Sequence, residues 1–221
     1  MIVARMAAED LNQAVRCPAC RAPASEHETA CRQCGFSLEV ADRSFGIAPA
    51  LHKPISDVAG VLGGFGKRRA AGVVEQVERA FPQLSLAVVL MDVPQQAPLV
   101  PYAFWIFNRG QLSSAVEKGG ENRLVMLLID TSSYRAIAMV GYGLEPFIQD
   151  IHLQSCLQAA LQPLQRGRHA QAIESFAREL ERQLRDLCVL VKQQFGLEEP
   201  ARWLDASMAG EEPVGLAESM Y

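Results

Sequence analysis

The chain has 221 residues, of which 49% are hydrophobic and 21% charged, with a formal net charge of −4 and a mean hydropathy of +0.05. This is globular composition and excludes a disordered or collagen-like chain. No apolar run, Leu124 to Ile129 included, approaches the roughly 20 residues of a membrane-crossing helix.

The opening residues include Arg5, Glu9 and Asp10 and no apolar stretch of about 7–15 residues, so a secretory signal is not expected and a cytoplasmic location is. Residues 16–38 hold Cys17, Cys20, Cys31 and Cys34 as CxxC–x10–CxxC. In a reducing compartment this spacing points to a metal site rather than a disulfide framework. Two such pairs resemble a zinc ribbon: each CxxC turn presents two sulfurs, and four thiolates fill the tetrahedron zinc prefers. Gly35 follows the last ligand, where a positive φ is needed. With no open position the zinc would be structural. A redox dithiol pair and an iron-bound knuckle set are other chemistries these residues offer. His27 lies between the pairs and reads as a surface loop residue. A ribbon this short has little core, so metal binding would supply its stability. Its balanced charge favours a protein partner over nucleic acid.

Residues 39–56, with Pro49 and Pro54, read as a linker, and residues 57–195 as the main domain. The periodicity predicts a helix over 68–81, ended by Pro82, then a buried strand over 84–91. A helix over 101–116 comes next, with Phe104, Phe107, Leu112 and Val116 facing inward. Strands are expected at 124–129 and 135–140, joined through the turn-forming Asp130-Thr131-Ser132-Ser133. Two helices close the domain, at 145–164 and 169–195. The last has an apolar stripe of Ile173, Phe176, Leu180, Leu184, Leu187, Val191 and Phe195, whose commoner use is packing on its own sheet rather than on a partner helix. Cys156 and Cys188 read as small buried hydrophobes. Residues 196–221 carry a net −5, which leaves the rest at +1, and lack an apolar pattern, so a disordered acidic tail is expected. The resulting fold class is α/β: a small mixed sheet sandwiched by helices and preceded by the ribbon. The first two strands are parallel through a helical crossover, and the last two form a hairpin.

Residues Val140 to Asp150 (VGYGLEPFIQD) resemble the signature of the TPM-domain family, in which a strand ends in GYGLE and an acid stands about five positions on. Asp57-Val58-Ala59-Gly60-Val61-Leu62, the strand at 84–91 followed by Tyr102-Ala103-Phe104, and Pro163 to His169 match other parts of the pattern in the same order. The resemblance runs from about Ile55 to Leu184. Asn122-Arg123-Leu124 replaces the usual Asn-Asn-Gly, and Gln149-Asp150-Ile151 the usual Thr-Asp-Ala.

Gly141 and Gly143 are read as turn glycines that let the chain leave the sheet. Asp57, Asp130, Glu145 and Asp150 lie at strand or helix ends and are expected to gather at one rim, where oxygen ligands suit Ca²⁺ or Mg²⁺. As purely structural groups, Asp57 is a cap, Asp130 a turn former, and Glu145 and Asp150 helix-start acids. The first functional expectation is a soluble, non-enzymatic binding or scaffolding protein, since no nucleophile–base pair is present. The alternative is a divalent-metal-dependent phosphatase for phosphomonoesters, which the resemblance implies for plant relatives. A regulatory subunit that meets its partner through the ribbon is a third. Gly60 to Lys67 fails the phosphate-loop pattern, since Val61 and Arg68 stand where Gly and Ser or Thr are required.

Overall fold

The computed structural model describes residues 16–24, 28–112 and 122–194, with side chains through Val189. His27, Val116, Phe195, the side chain of Val191, the lead through Val15 and the acidic tail lie outside the described residues. The chain divides into a unit ending at Leu184 and a second beginning at Arg185. The first unit contains the whole sheet and every described helix except the last turns of the final one.

The described elements are α1 (Leu38–Phe45), β1 (Ile55–Asp57), α2 (Gly64–Ala80), β2 (Ser85–Met91), α3 (Leu99–Arg109), β3 (Leu124–Asp130), β4 (Arg135–Val140), α4 (Asp150–Gln165) and α5 (His169–Gln194). The sheet order is β1-β2-β3-β4. β1, β2 and β3 run parallel, with Ile55 beside Val88 and Val88 beside Leu127. β4 returns antiparallel, with Val125 opposite Val140 and Asp130 opposite Arg135. The mixed α/β sandwich expected from the sequence is therefore the fold.

β2 and β3 are buried almost throughout, as a run of apolar residues with no polar alternation requires. Alternation sorts their side chains to two faces. Ala87, Val89, Met91, Met126 and Leu128 share one core with Trp105, Ile106 and Phe107 of α3 and with Ala41 of α1. The intervening Leu86, Val88, Leu90, Val125 and Leu127 point to the other face, where α2 packs on β1 and β2, and α4 on β4. α5 lies beside α2. Its Ile173, Phe176 and Leu180 are fully buried, as the stripe predicted. Glu174, also buried, takes Arg69 of α2 and Arg178 of α5 at 2.5 Å each.

Several boundaries differ from the sequence reading. The stretch read as a linker begins with α1, whose start Ser37 caps by accepting from the Val40 amide at 3.2 Å. β1 is a three-residue strand, too short for a periodicity to register. α4 starts at Asp150, not at 145: Pro146 disfavours helical backbone at Glu145, and Gln149 and His152 form a reciprocal cap. Cys156 is buried, and burial pushes its thiol up to about 12. Cys188 is instead exposed, because it lies beside the stripe rather than on it. Among the described residues no helix is long and apolar enough to cross a membrane.

Candidate metal centre

The two cysteine pairs sit in two copies of one backbone turn. In the first, the Cys17 amide donates to the Ala22 carbonyl at 2.9 Å and the Arg21 amide to the Cys17 carbonyl at 3.0 Å. In the second, Cys31 donates to Phe36 at 2.9 Å and Gly35 to Cys31 at 2.8 Å. Both turns need a left-handed residue just after the second cysteine: Arg21 has φ 66° and Gly35 φ 70°. Each turn closes with an antiparallel bridge, Arg16 to Pro23 and Ala30 to Ser37.

The turns face each other and bring all four sulfurs within 4.8 Å of one another. Cys17 to Cys34 and Cys20 to Cys31 are each 3.7 Å. A disulfide requires about 2.05 Å, so these are thiols. A tetrahedral metal–thiolate centre with metal–sulfur bonds of about 2.3 Å has sulfur–sulfur edges of roughly 3.8 Å. The donor set therefore fits such an ion and leaves no position open.

The electrostatics of the turns agree. The Cys34 and Gln33 amides aim at the Cys31 sulfur and draw its thiol down to about 7. At Cys34 the Phe36 amide acts in the same direction. Burial and the hydrogen bonds with the other three thiols outweigh it, and Cys34 is pushed up to about 12. Burial also raises Cys17. Four sulfurs this close cannot all ionise alone; a dication would displace their protons.

The centre is fastened to α3. Phe36 of the second turn packs on Phe104 of α3 at 5.8 Å between ring centroids. Two residues on, α1 begins. Its Phe45 meets Tyr102 at 5.1 Å and Trp105 at 5.5 Å. Asp42 accepts from the Trp105 indole at 2.9 Å and from Arg109 Nη2 at 2.7 Å, and Arg109 first, then Trp105, hold its carboxyl below the usual range. Sequence reasoning missed Ser37, Asp42, Trp105 and Arg109. The available signal was a capping Ser before Leu38, Ala41 and Phe45 at helical spacing.

The four carboxylates expected at one rim do not meet. Asp57 and Asp130 end β1 and β3, at the carboxyl end of the sheet. Glu145 comes after the turn at the other end, where Gly141 donates to Leu124 and Gly143 to Asn122 at the start of β3. Seven residues of β3 separate the two ends, roughly 20 Å of strand. Asp150 starts α4 at that second end, and α4 then runs back until Gly167 comes beside Tyr134 in the β3–β4 turn. The physical reason is the antiparallel return of β4, which carries the GYGLE turn away from Asp130. Among the described residues the four cysteines are the one group of three or more such ligands placed for an ion.

Asp57 and Asp130 also have their oxygens engaged. Asp57 accepts from the Val61 and Leu62 amides at 3.0 and 2.8 Å, the cap expected of it. Asp130 is fully buried and accepts from the Val93 and Ser132 amides, the Ser132 and Ser133 hydroxyls and Arg135 Nη2 at 3.1 Å. Burial opposes its ionisation, but those donors together outweigh it and lower its pKa. Its folded value lies below the unfolded one. The stability it contributes is therefore whole above the ordinary aspartate value of about 3.9 and is lost as the pH falls below that through the folded value. Asp130→Asn is expected to lose about 2 kcal/mol near neutral pH. Urea midpoints measured downward from neutrality should show the gap to wild type narrowing in acid; a gap independent of pH would count against the charge as its source.

The TPM domain profile matches residues 55–183. Two solved structures are similar. One is the N-terminal domain of a protein from P. gingivalis, at 20% identity over 59% of this chain and 80% of that one, with a TM-score of 0.47. The other is the N-terminal domain of a Corynebacterium glutamicum protein, at 15% identity over 61% and 82%, with a TM-score of 0.45. No curated protein matches the chain.

Proposed function

The chain belongs to the TPM-domain family, and from that premise we propose that it is a cytoplasmic binding or scaffolding protein without catalysis of its own, built round a structural zinc. The observation that carries this reading is the closed four-sulfur set, with two edges of 3.7 Å and a rigid attachment to α3. A closed thiolate tetrahedron holds structure and offers no site to a substrate. The partner is a protein that meets the ribbon or the TPM domain. Against the phosphatase alternative stands the separation of its four carboxylates and the engagement of Asp57 and Asp130 by the backbone and by Arg135.

Two measurements on the full, freshly reduced chain test this. Metal analysis is expected to return one zinc per chain. A generic phosphomonoester is expected to turn over no faster with Mg²⁺ or Ca²⁺ than without. Metal-dependent turnover that disappears in Asp150→Asn would replace this reading with the phosphatase. Zinc-free, folded protein would remove the structural-metal half of it.

A further inference from the structure

At the carboxyl end of the sheet, three segments of the TPM domain come together. Gly66 at the start of α2 lies against Ala170 at the start of α5, 3.5 Å from a Cβ built on the glycine. The Tyr134 ring of the β3–β4 turn stacks on His169 at 6.2 Å and lies beside Gly167, 3.8 Å from a Cβ built there. This corner displays large apolar side chains to solvent: Phe65 is 74% exposed, Val58 53%, Tyr134 47% and Val61 40%. Among the described residues, four of the ten exposed large apolar side chains thus share one corner, whereas such residues normally scatter singly.

The same corner holds Lys67 and Arg68 on the first turn of α2, and Arg166 and Arg168 on the bend between α4 and α5. All four are exposed, and none is ion-paired among the described residues. Arg69, next in line, is occupied by Glu174. Asp57, at the end of β1 just before this segment, has both carboxylate oxygens engaged by the Val61 and Leu62 amides. Asp92 leaves the same end toward α3 on the other face and receives the Thr131 hydroxyl. Four cations thus sit together on a chain whose net charge is −4. The opposite end of the sheet supplies a contrast: Tyr142 and Phe147 are exposed there too, but beside Glu145 and Asp150.

Protruding apolar tips ringed by cations match the two layers of an anionic bilayer, whose headgroups attract Lys and Arg while the boundary beneath accepts an aromatic ring. The geometry points to this corner, Phe65 and Val61 foremost with Lys67, Arg68, Arg166 and Arg168 around them, as a reversible docking face for anionic membrane surfaces. The acidic remainder of the chain would be repelled, which orients the protein with this corner toward the lipid. None of the four cysteines takes part, so this docking face is independent of the metal centre.

Co-sedimentation of the full, zinc-loaded chain with vesicles tests it. Binding is expected to vesicles of phosphatidylcholine containing phosphatidylglycerol, to be much weaker to phosphatidylcholine alone, and to fall with added salt. Each cation near the surface changes partitioning roughly fivefold, so Lys67→Ala with Arg68→Ala should lose roughly twenty-five-fold. Phe65→Ser should weaken binding at every salt concentration. These positions are exposed, and an unchanged thermal melt identifies a folded variant. Equal binding to both vesicle types, no binding to the anionic ones, or indifference to these substitutions would overturn the proposal. So would capture of a soluble polyglutamate in place of the vesicles.

Discussion

Replacing Cys34 with serine is expected to release the metal, detach α1 from α3 and lower global stability by at least about 4 kcal/mol, since structural zinc contributes its binding free energy to folding. The path is short and covalent. Cys34 is followed by Gly35, by Phe36 on the Phe104 ring, and by Ser37 capping α1. α1 in turn supplies Asp42 to the indole of Trp105, which is 1% exposed in the docked state. Once the second turn loosens, that indole loses its acceptor and meets water. A red shift of tryptophan emission together with a lower melting temperature should accompany metal loss, in the variant and in wild type given a chelator. Asp42→Ala is the informative control. It removes the acceptor for Trp105 and Arg109 but no sulfur, so it should cost about 2 kcal/mol while retaining the metal. If Cys34→Ser kept both its emission maximum and its melt, the four sulfurs would not be what holds α1 in place.

The same segment marks how far the sequence could be read. The gathering of the four sulfurs of CxxC–x10–CxxC was legible because cysteine spacing is local: two turns of the same design need only face each other. The apolar runs of β2 and β3 and the stripe through Ile173, Phe176 and Leu180 were legible because burial on both faces, or on one helical face, leaves a period in the sequence. α1 was obscured by the prolines that come after it, and its anchor, Asp42 to Trp105, spans 63 positions and has no pattern to find. The carboxylates failed for another reason. Asp57, Asp130, Glu145 and Asp150 each sit at or near the end of an element, as expected, but which end of the sheet each occupies depends on strand direction. The antiparallel return of β4 sends Glu145 to the end opposite Asp130. The exposed corner round Phe65 was hidden too. In one dimension Gly60 to Lys67 shows only a failed phosphate-loop pattern, and only the approach of Gly66 to Ala170 puts Arg166 and Arg168 beside it.

Gly141→Ala is expected to be the most damaging single methyl in the TPM domain, at about 4 kcal/mol, seen as a large fall in the urea midpoint or a failure to accumulate folded. The residue closes β4 against the start of β3. Its amide donates to Leu124 at 2.8 Å, and the Gly143 amide two residues on donates to the Asn122 carbonyl at 3.1 Å. Asn122 also accepts from the Leu124 amide through Oδ1 at 3.1 Å. The asparagine thus wraps the glycine: a Cβ at 141 would lie 2.2 Å from the Asn122 carbonyl oxygen, 2.6 Å from its Cγ and 2.7 Å from Oδ1. A rotating side chain could yield; a backbone carbonyl engaged with Gly143 cannot without opening the turn. Two explanations of the first glycine of GYGLE can therefore be separated. If the conflict lies in the backbone, Asn122→Gly combined with Gly141→Ala should recover little, because the carbonyl stays at 2.2 Å after Cγ and Oδ1 are gone. Full recovery would place the conflict in the side chain and contradict the backbone argument. Gly64→Ala supplies the baseline, since nothing lies within 4 Å of a Cβ there and an exposed first turn favours alanine. A midpoint that moves by no more for residue 141 than for residue 64 would refute the close approach itself.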